Sequence, residues 1–126
     1  MSKSISRSIA IAAMFFFTFL SAQSFGFTQG DVNQLQNTGS CKKCDLENAD
    51  LSGVDLSNAT LEKAVMNGIN LSGANLSGAD LFGAFLNDAN LSGATLHGAE
   101  VSGASFSGAT FCNTITSDGE TDSSGC

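Results

Sequence analysis

Proline, tryptophan and tyrosine are missing from this chain, and basic residues are scarce. With phenylalanine as the sole aromatic type, the chain lacks the variety of bulky residues that fills a broad globular interior. A thin core of small and medium aliphatic side chains is expected instead. Five basic residues against twelve acidic ones leave a net charge of −7. That excludes the basic footprint of a nucleic-acid binder and disfavours adhesion to anionic membranes. His97 is the single histidine, with no cysteine near it in the sequence, so a zinc or imidazole-based catalytic site is not expected. The longest apolar run, Ile9 to Leu20, is shorter than the roughly twenty residues needed to span a bilayer. At 126 residues the chain is one domain.

What is present is a period of five. Leu46, Leu51, Leu56, Leu61, Met66, Leu71, Leu76, Leu81, Leu86, Leu91, Leu96, Val101, Phe106 and Phe111 form one unbroken apolar series. Two residues before each stands a small or apolar residue, from Cys44 and Ala49 to Ala104 and Ala109. On an α-helix a spacing of five is offset by about 140°, which spreads the leucines round the cylinder. On a straight strand an odd spacing puts successive leucines on opposite faces. Both inward residues are buried together only if a short extended segment is followed by a corner at every unit. The residue two after each leucine has turn chemistry: Gly at nine units, Asn48, Asn58 and Asn113 at three, and Asp88 at another. A type II turn needs positive φ there, which Gly and Asn adopt with little strain. Lys63 is the exception and predicts a different turn.

Four corners close a coil of twenty residues. The fold class predicted is all-β: a right-handed quadrilateral parallel β-helix of about three and a half coils, with the right hand of other parallel crossovers. At the strand spacing of about 4.8 Å per coil, the rod is on the order of 17 Å long. Units such as Ala49-Asp50-Leu51-Ser52-Gly53 and Ala74-Asn75-Leu76-Ser77-Gly78 match the A-(D/N)-L-X-X pattern, and the chain resembles the pentapeptide-repeat family over about sixty percent of its length. The resemblance implies the same right-handed quadrilateral β-helix. It implies no single activity, since members are diverse and mostly resemble binding or scaffold proteins rather than enzymes.

Flanking segments complete the organisation. Lys3 and Arg7, then the apolar run, then Ser21, Ala22 and Ser24, read as a signal peptide over residues 1–22. Its removal leaves twelve acidic and three basic residues, a net charge of −9, and no stable membrane anchor. Residues 23–40 are expected to cap the first coil, with a short helix or turn from Gln29 to Ser40 capped by Asp31. An open solenoid end is an edge that invites pairing. The repeat proper occupies residues 41–116, and a Ser-, Gly- and acid-rich tail occupies 117–126. The tail is expected to be flexible unless Cys126 pins it. Its acidic residues do not have the spacing of an EF-hand loop.

Cys41, Cys44, Cys112 and Cys126 form an even set in an exported chain, which predicts two disulfides. Of three connectivities, Cys41–Cys44 with Cys112–Cys126 is favoured. Each pair lies at one end of the rod, and a bridge tolerates only about 7 Å between Cα atoms. Cys44 also stands at an inward position where a free thiol would pack. A redox reading of Cys41-Lys42-Lys43-Cys44 lacks its βαβ context. A four-cysteine zinc site would need the two ends to converge.

The outward columns carry Asp50, Asn70, Asn90 and Thr110, with Ser52, Ser72 and Ser92, as a polar wall. The ranks of Thr that an ice-binding face would need are absent. Asp80 and Glu100 fall in one column, but a convex rod offers no catalytic cleft around them. Val65, Phe82 and Phe85 are different. They form an outward apolar group that is either a partner contact or is covered by the N-terminal segment or the tail. The sequence thus predicts a non-enzymatic exported solenoid, without cofactor or metal, whose wall binds an unidentified protein. Its compartment would be the periplasm, the exterior or, in a photosynthetic bacterium, the thylakoid lumen. Two alternatives stand beside it. A DNA-mimic, topoisomerase-binding role, which the resemblance admits, would need a long acidic rod in the cytosol. A thiol oxidoreductase would act through Cys41 and Cys44.

Overall fold

The computed structural model describes residues 26–126. The signal peptide predicted over residues 1–22 lies outside the described residues. Twelve parallel bridges join residues twenty apart, from Ser40 with Thr60 to Thr95 with Ile115. Every bridging residue immediately precedes an inward leucine-type position, so the chain returns to the same register after four units. The result is a parallel β-helix. Regular strands are almost absent, because each extended segment is interrupted by a turn after two or three residues.

The core is the column the period demands. Leu46 through Leu96 and Ala49 through Ala99 are buried, with Met66, Val54 and Ile69 in register. Val101, Phe106 and Phe111 are only partly buried, since no further coil covers them. The Phe106 and Phe111 rings stand 5.8 Å apart, tilted by 54°. They broaden the last coil where leucine would leave the column open.

Each interior unit has five backbone N–H groups, and four of them bond to backbone. Asn75 N–H reaches back to Val54 O at 3.0 Å, and Leu76 N–H reaches forward to Thr95 O at 2.7 Å. Gly78 N–H reaches His97 O at 3.0 Å, and Ala79 N–H closes the turn on Leu76 O at 3.0 Å. The fifth N–H, after the leucine, takes a side-chain acceptor: Ser77 N–H donates to Asn75 Oδ1 at 3.0 Å. Asp50, Asp55, Asn70, Asp80 and Asn90 do the same at their own units. Where Asp or Asn precedes the inward leucine, it is therefore a turn cap as well as a surface residue.

The corner expectation at Lys63 is corrected. Lys63 adopts φ 57°, the same left-handed turn as its Gly and Asn counterparts, and so does Lys43 at φ 58°. The inter-coil bonds Lys63 N–H to Phe82 O and Lys43 N–H to Glu62 O, both 2.8 Å, hold those corners in register and override the residue preference. The positive-φ corner at Lys43 also brings together Cys41 and Cys44, the inward positions on its two sides.

Both ends are covered. Helix α1 (Gln29–Thr38) buries Val32 and Leu35 against the core and ends at Gly39, φ 72°. Before it, Phe27 pairs antiparallel with Leu46 at the edge of the first coil. Asp31 is not the helix cap expected. Thr28 occupies that position without a side-chain cap bond, and Asp31 sits in the first turn. Its Oδ2 instead accepts Asp45 N–H at 2.6 Å, tying helix to coil. At the other end β1 (Thr114–Ile115) pairs antiparallel with β2 (Thr121–Asp122). Thr114 fills an inward position, where its hydroxyl donates to Leu91 O at 2.8 Å.

Cys41 is bonded to Cys44 and Cys112 to Cys126, with Cα separations of 5.4 and 4.8 Å. Their sequence separations of 3 and 14 imply unequal entropic contributions, about 2 and about 3 kcal/mol. We expect the native chain to resist thiol labelling without reductant. Cys112→Ser/Cys126→Ser should lower unfolding free energy in denaturant titrations by about 3 kcal/mol.

Candidate protein-binding surface

The edge that carries Phe82 and Phe85 is built on a rigid corner. Leu81 and Ala84 are fully buried on either side of Gly83. Leu81 N–H bonds to Glu100 O at 2.8 Å, Gly83 N–H to Ser102 O at 2.9 Å, and Phe85 N–H to Ala64 O at 2.9 Å. The backbone under both rings is thus tied to the coils above and below. Phe82 is 42% and Phe85 45% exposed, and they are the only exposed large hydrophobics among the described residues. Neither α1 nor the pinned tail removes these rings from solvent. Val65 pairs with Phe85 one coil away and is half-buried.

This side of the helix departs from the usual turn cap. Val65, Phe85 and Ser105 stand where Asp or Asn stands elsewhere, so the following N–H loses its local acceptor. An asparagine ladder replaces it. Asn67 Oδ1 accepts Asn87 N–H at 2.9 Å from the next coil. Asn87 Oδ1 accepts Ser107 N–H at 3.1 Å and the Ser105 hydroxyl at 2.5 Å. Moving the acceptor one coil away frees position 85 for an apolar side chain. The spacing of Asn67 and Asn87 was visible in the sequence, but the inter-coil acceptor role is a tertiary fact.

The other outward candidates are structural. Asp80 accepts Phe82 N–H at 3.0 Å. Glu100, paired with Asp80 across one coil, accepts Ser102 N–H at 2.9 Å and its hydroxyl at 2.7 Å. His97 is exposed, with its ring against Gly119 of the tail. Among the described residues no group of His, Cys, Asp and Glu could hold a metal ion. Cys41 and Cys44 are buried and joined within the first coil, a poor setting for thiol exchange, which needs an accessible sulfur.

Three carboxylates are held below their ordinary range. The Ser102 hydroxyl, then its N–H, lowers Glu100. The Thr116 hydroxyl, then Glu120 N–H, lowers Asp118, and Ser124 N–H, then its hydroxyl, lowers Asp122. Each charged form is favoured in the folded state, so its contribution is present above the unfolded pKa and lost as pH falls through the folded one.

The pentapeptide-repeat family model matches residues 40–78 and 74–113. Solved structures of pentapeptide repeat proteins are also similar. One, from the thylakoid lumen of Arabidopsis thaliana, is 27% identical with a TM-score of 0.45, over 60% of this chain and 64% of that one. The chain therefore spans just under two thirds of that protein's length. A second, from Nostoc, is 28% identical with a TM-score of 0.41, over 86% of this chain and 78% of that one. A third, from the cyanobacterium Cyanothece, is 32% identical with a TM-score of 0.26, over 61% and 63%. No curated protein matches.

Two outcomes follow from this geometry. Asn67→Ala should cost about 1–3 kcal/mol by leaving Asn87 N–H without its acceptor, whereas Asn67→Asp should stay near the parent in denaturant midpoint. Stability should also fall as pH drops below the carboxylate range, and Glu100→Gln/Asp118→Asn should flatten the profile of melting temperature against pH.

Proposed function

We infer the role of this chain from its family: it belongs to the pentapeptide-repeat proteins. We propose an exported, non-enzymatic solenoid that presents the edge bearing Val65, Phe82 and Phe85 to a protein partner. A turn at every fifth residue and bridges at every twentieth support a four-sided coil of about three and a half turns, right-handed like other parallel crossovers. The observation that carries the binding role is the exposure of both phenylalanines on a backbone fixed from two sides. An outward ring on a rigid strut loses little conformational entropy on docking, and aromatic anchors dominate protein interfaces.

Export is supported by Lys3, Arg7, the apolar run from Ile9 to Leu20 and the small residues after it. The two disulfides suit an oxidising compartment: the periplasm, the exterior or a thylakoid lumen. No helix among the described residues is long and apolar enough to cross a membrane. The same compartment disfavours a DNA-mimic role against a cytosolic topoisomerase.

Phe82→Ser/Phe85→Ser should abolish retention of the partner in affinity capture from an envelope fraction. Because both rings are already largely in water, the unfolding midpoint should barely move, by roughly 0.5 kcal/mol or less. Capture that persists in this variant would reject the edge as the binding surface.

A further inference from the structure

The three lysines at positions 42, 43 and 63 are the only Lys or Arg among the described residues, and they share one corner of the helix. Lys43 N–H bonds to Glu62 O, Lys63 N–H to Phe82 O and Gly83 N–H to Ser102 O, which stacks this corner over successive coils. Lys42, Glu62 and Phe82 form one column, and Lys43, Lys63 and Gly83 the next. Phe85 lies just past Gly83. A Cβ at Gly83 would stand 3.2 Å from Lys63 Cγ, so the lysine stem crosses the gap between the two phenylalanine positions. Lys42 Nζ lies 3.5 Å from Glu62 Oε1, which leaves Lys43 and Lys63 without an ion-pair partner among the described residues.

Folding does not explain this corner. Elsewhere its third position is Gly, Asn or Asp, all more tolerant of positive φ, whereas Lys43 and Lys63 adopt it at a strain of about 1 kcal/mol each. They also set like charges one above the other, at about 4.8 Å per coil. The described residues carry a net charge of −9. At physiological ionic strength charges are screened beyond about 8 Å, so the corner is locally positive on an acidic body.

We propose that the edge formed by Lys42, Lys43, Lys63, Phe82, Phe85 and Val65 binds a protein segment that combines acidic with apolar side chains. This rests on the binding role proposed above and names the chemistry of its partner. The aromatic rings supply the apolar contact, and the lysines select carboxylates and steer encounter. A long polyanion fits worse, because three cations are flanked by an otherwise acidic surface. A second copy docked by the same patch fits worse too, because a two-fold contact would bring two lysine clusters of like charge into one interface.

A random peptide display library, panned on the purified parent chain, tests this, with anisotropy titrations of the recovered peptides on two variants. Recovered peptides should place Asp or Glu beside Phe, Leu or Ile. Their affinity should fall by roughly tenfold or more on Phe82→Ser/Phe85→Ser and on Lys42→Gln/Lys43→Asn/Lys63→Asn. The lysine variant should melt no lower than the parent, since Asn suits positive φ, so its lost affinity would not be a folding defect. Peptides without acidic preference, held equally by the lysine variant yet lost on the phenylalanine variant, would overturn the acidic-partner assignment and leave the binding edge standing. No recovered peptide, or peptides indifferent to the phenylalanine change, would overturn both. Lysine-dependent binding of single-stranded DNA or phosphatidylserine vesicles, or lysine-dependent self-association in ultracentrifugation, would overturn it in favour of those occupants.

Discussion

A buried or half-buried backbone N–H must find an acceptor, and this molecule meets that demand five residues at a time. Two N–H groups reach the next coil, one reaches the previous coil, one closes the turn, and the last takes a side-chain oxygen. Apolar burial fixes which residues face inward, but the inter-coil ladder sets the register at twenty. Without the ladder the leucine column would have no reason to repeat at equal heights.

That accounting explains why each outward position has the chemistry it has. The residue before the leucine is Asp or Asn where it must cap the next N–H, and the residue after is free to vary. Where the cap is lost, at Phe85 and Ser105, Asn67 and Asn87 restore the acceptor from a neighbouring coil. The substitution is coordinated: apolar residues on one column coincide with asparagines on the adjacent one.

The ends obey the same rule. An exposed coil edge presents unpaired N–H and C=O groups. Phe27 pairs with the first coil and α1 seals the column above it, while β2 and the Cys112–Cys126 bridge hold the tail across the last. The tail is therefore ordered although its composition is that of a linker. Hydrogen bonds that Asp118 and Asp122 accept from their own turns add to the disulfide.

By itself the sequence determined the inward residues, the corner spacing and the family, because a period of five has one solution that buries every leucine. It did not determine the turn at Lys63 or the donor that the Asp31 carboxylate accepts from. Local preference disfavours positive φ for lysine and favours capping by aspartate near a helix start. Both preferences are worth about 1–2 kcal/mol. Tertiary bonds outweighed them: the inter-coil ladder at Lys63, and Asp45 N–H at Asp31. The three lysines were also plain in the sequence, yet their meeting at one corner beside Phe82 and Phe85 required the coil, because residues twenty apart become neighbours only when the chain has stacked.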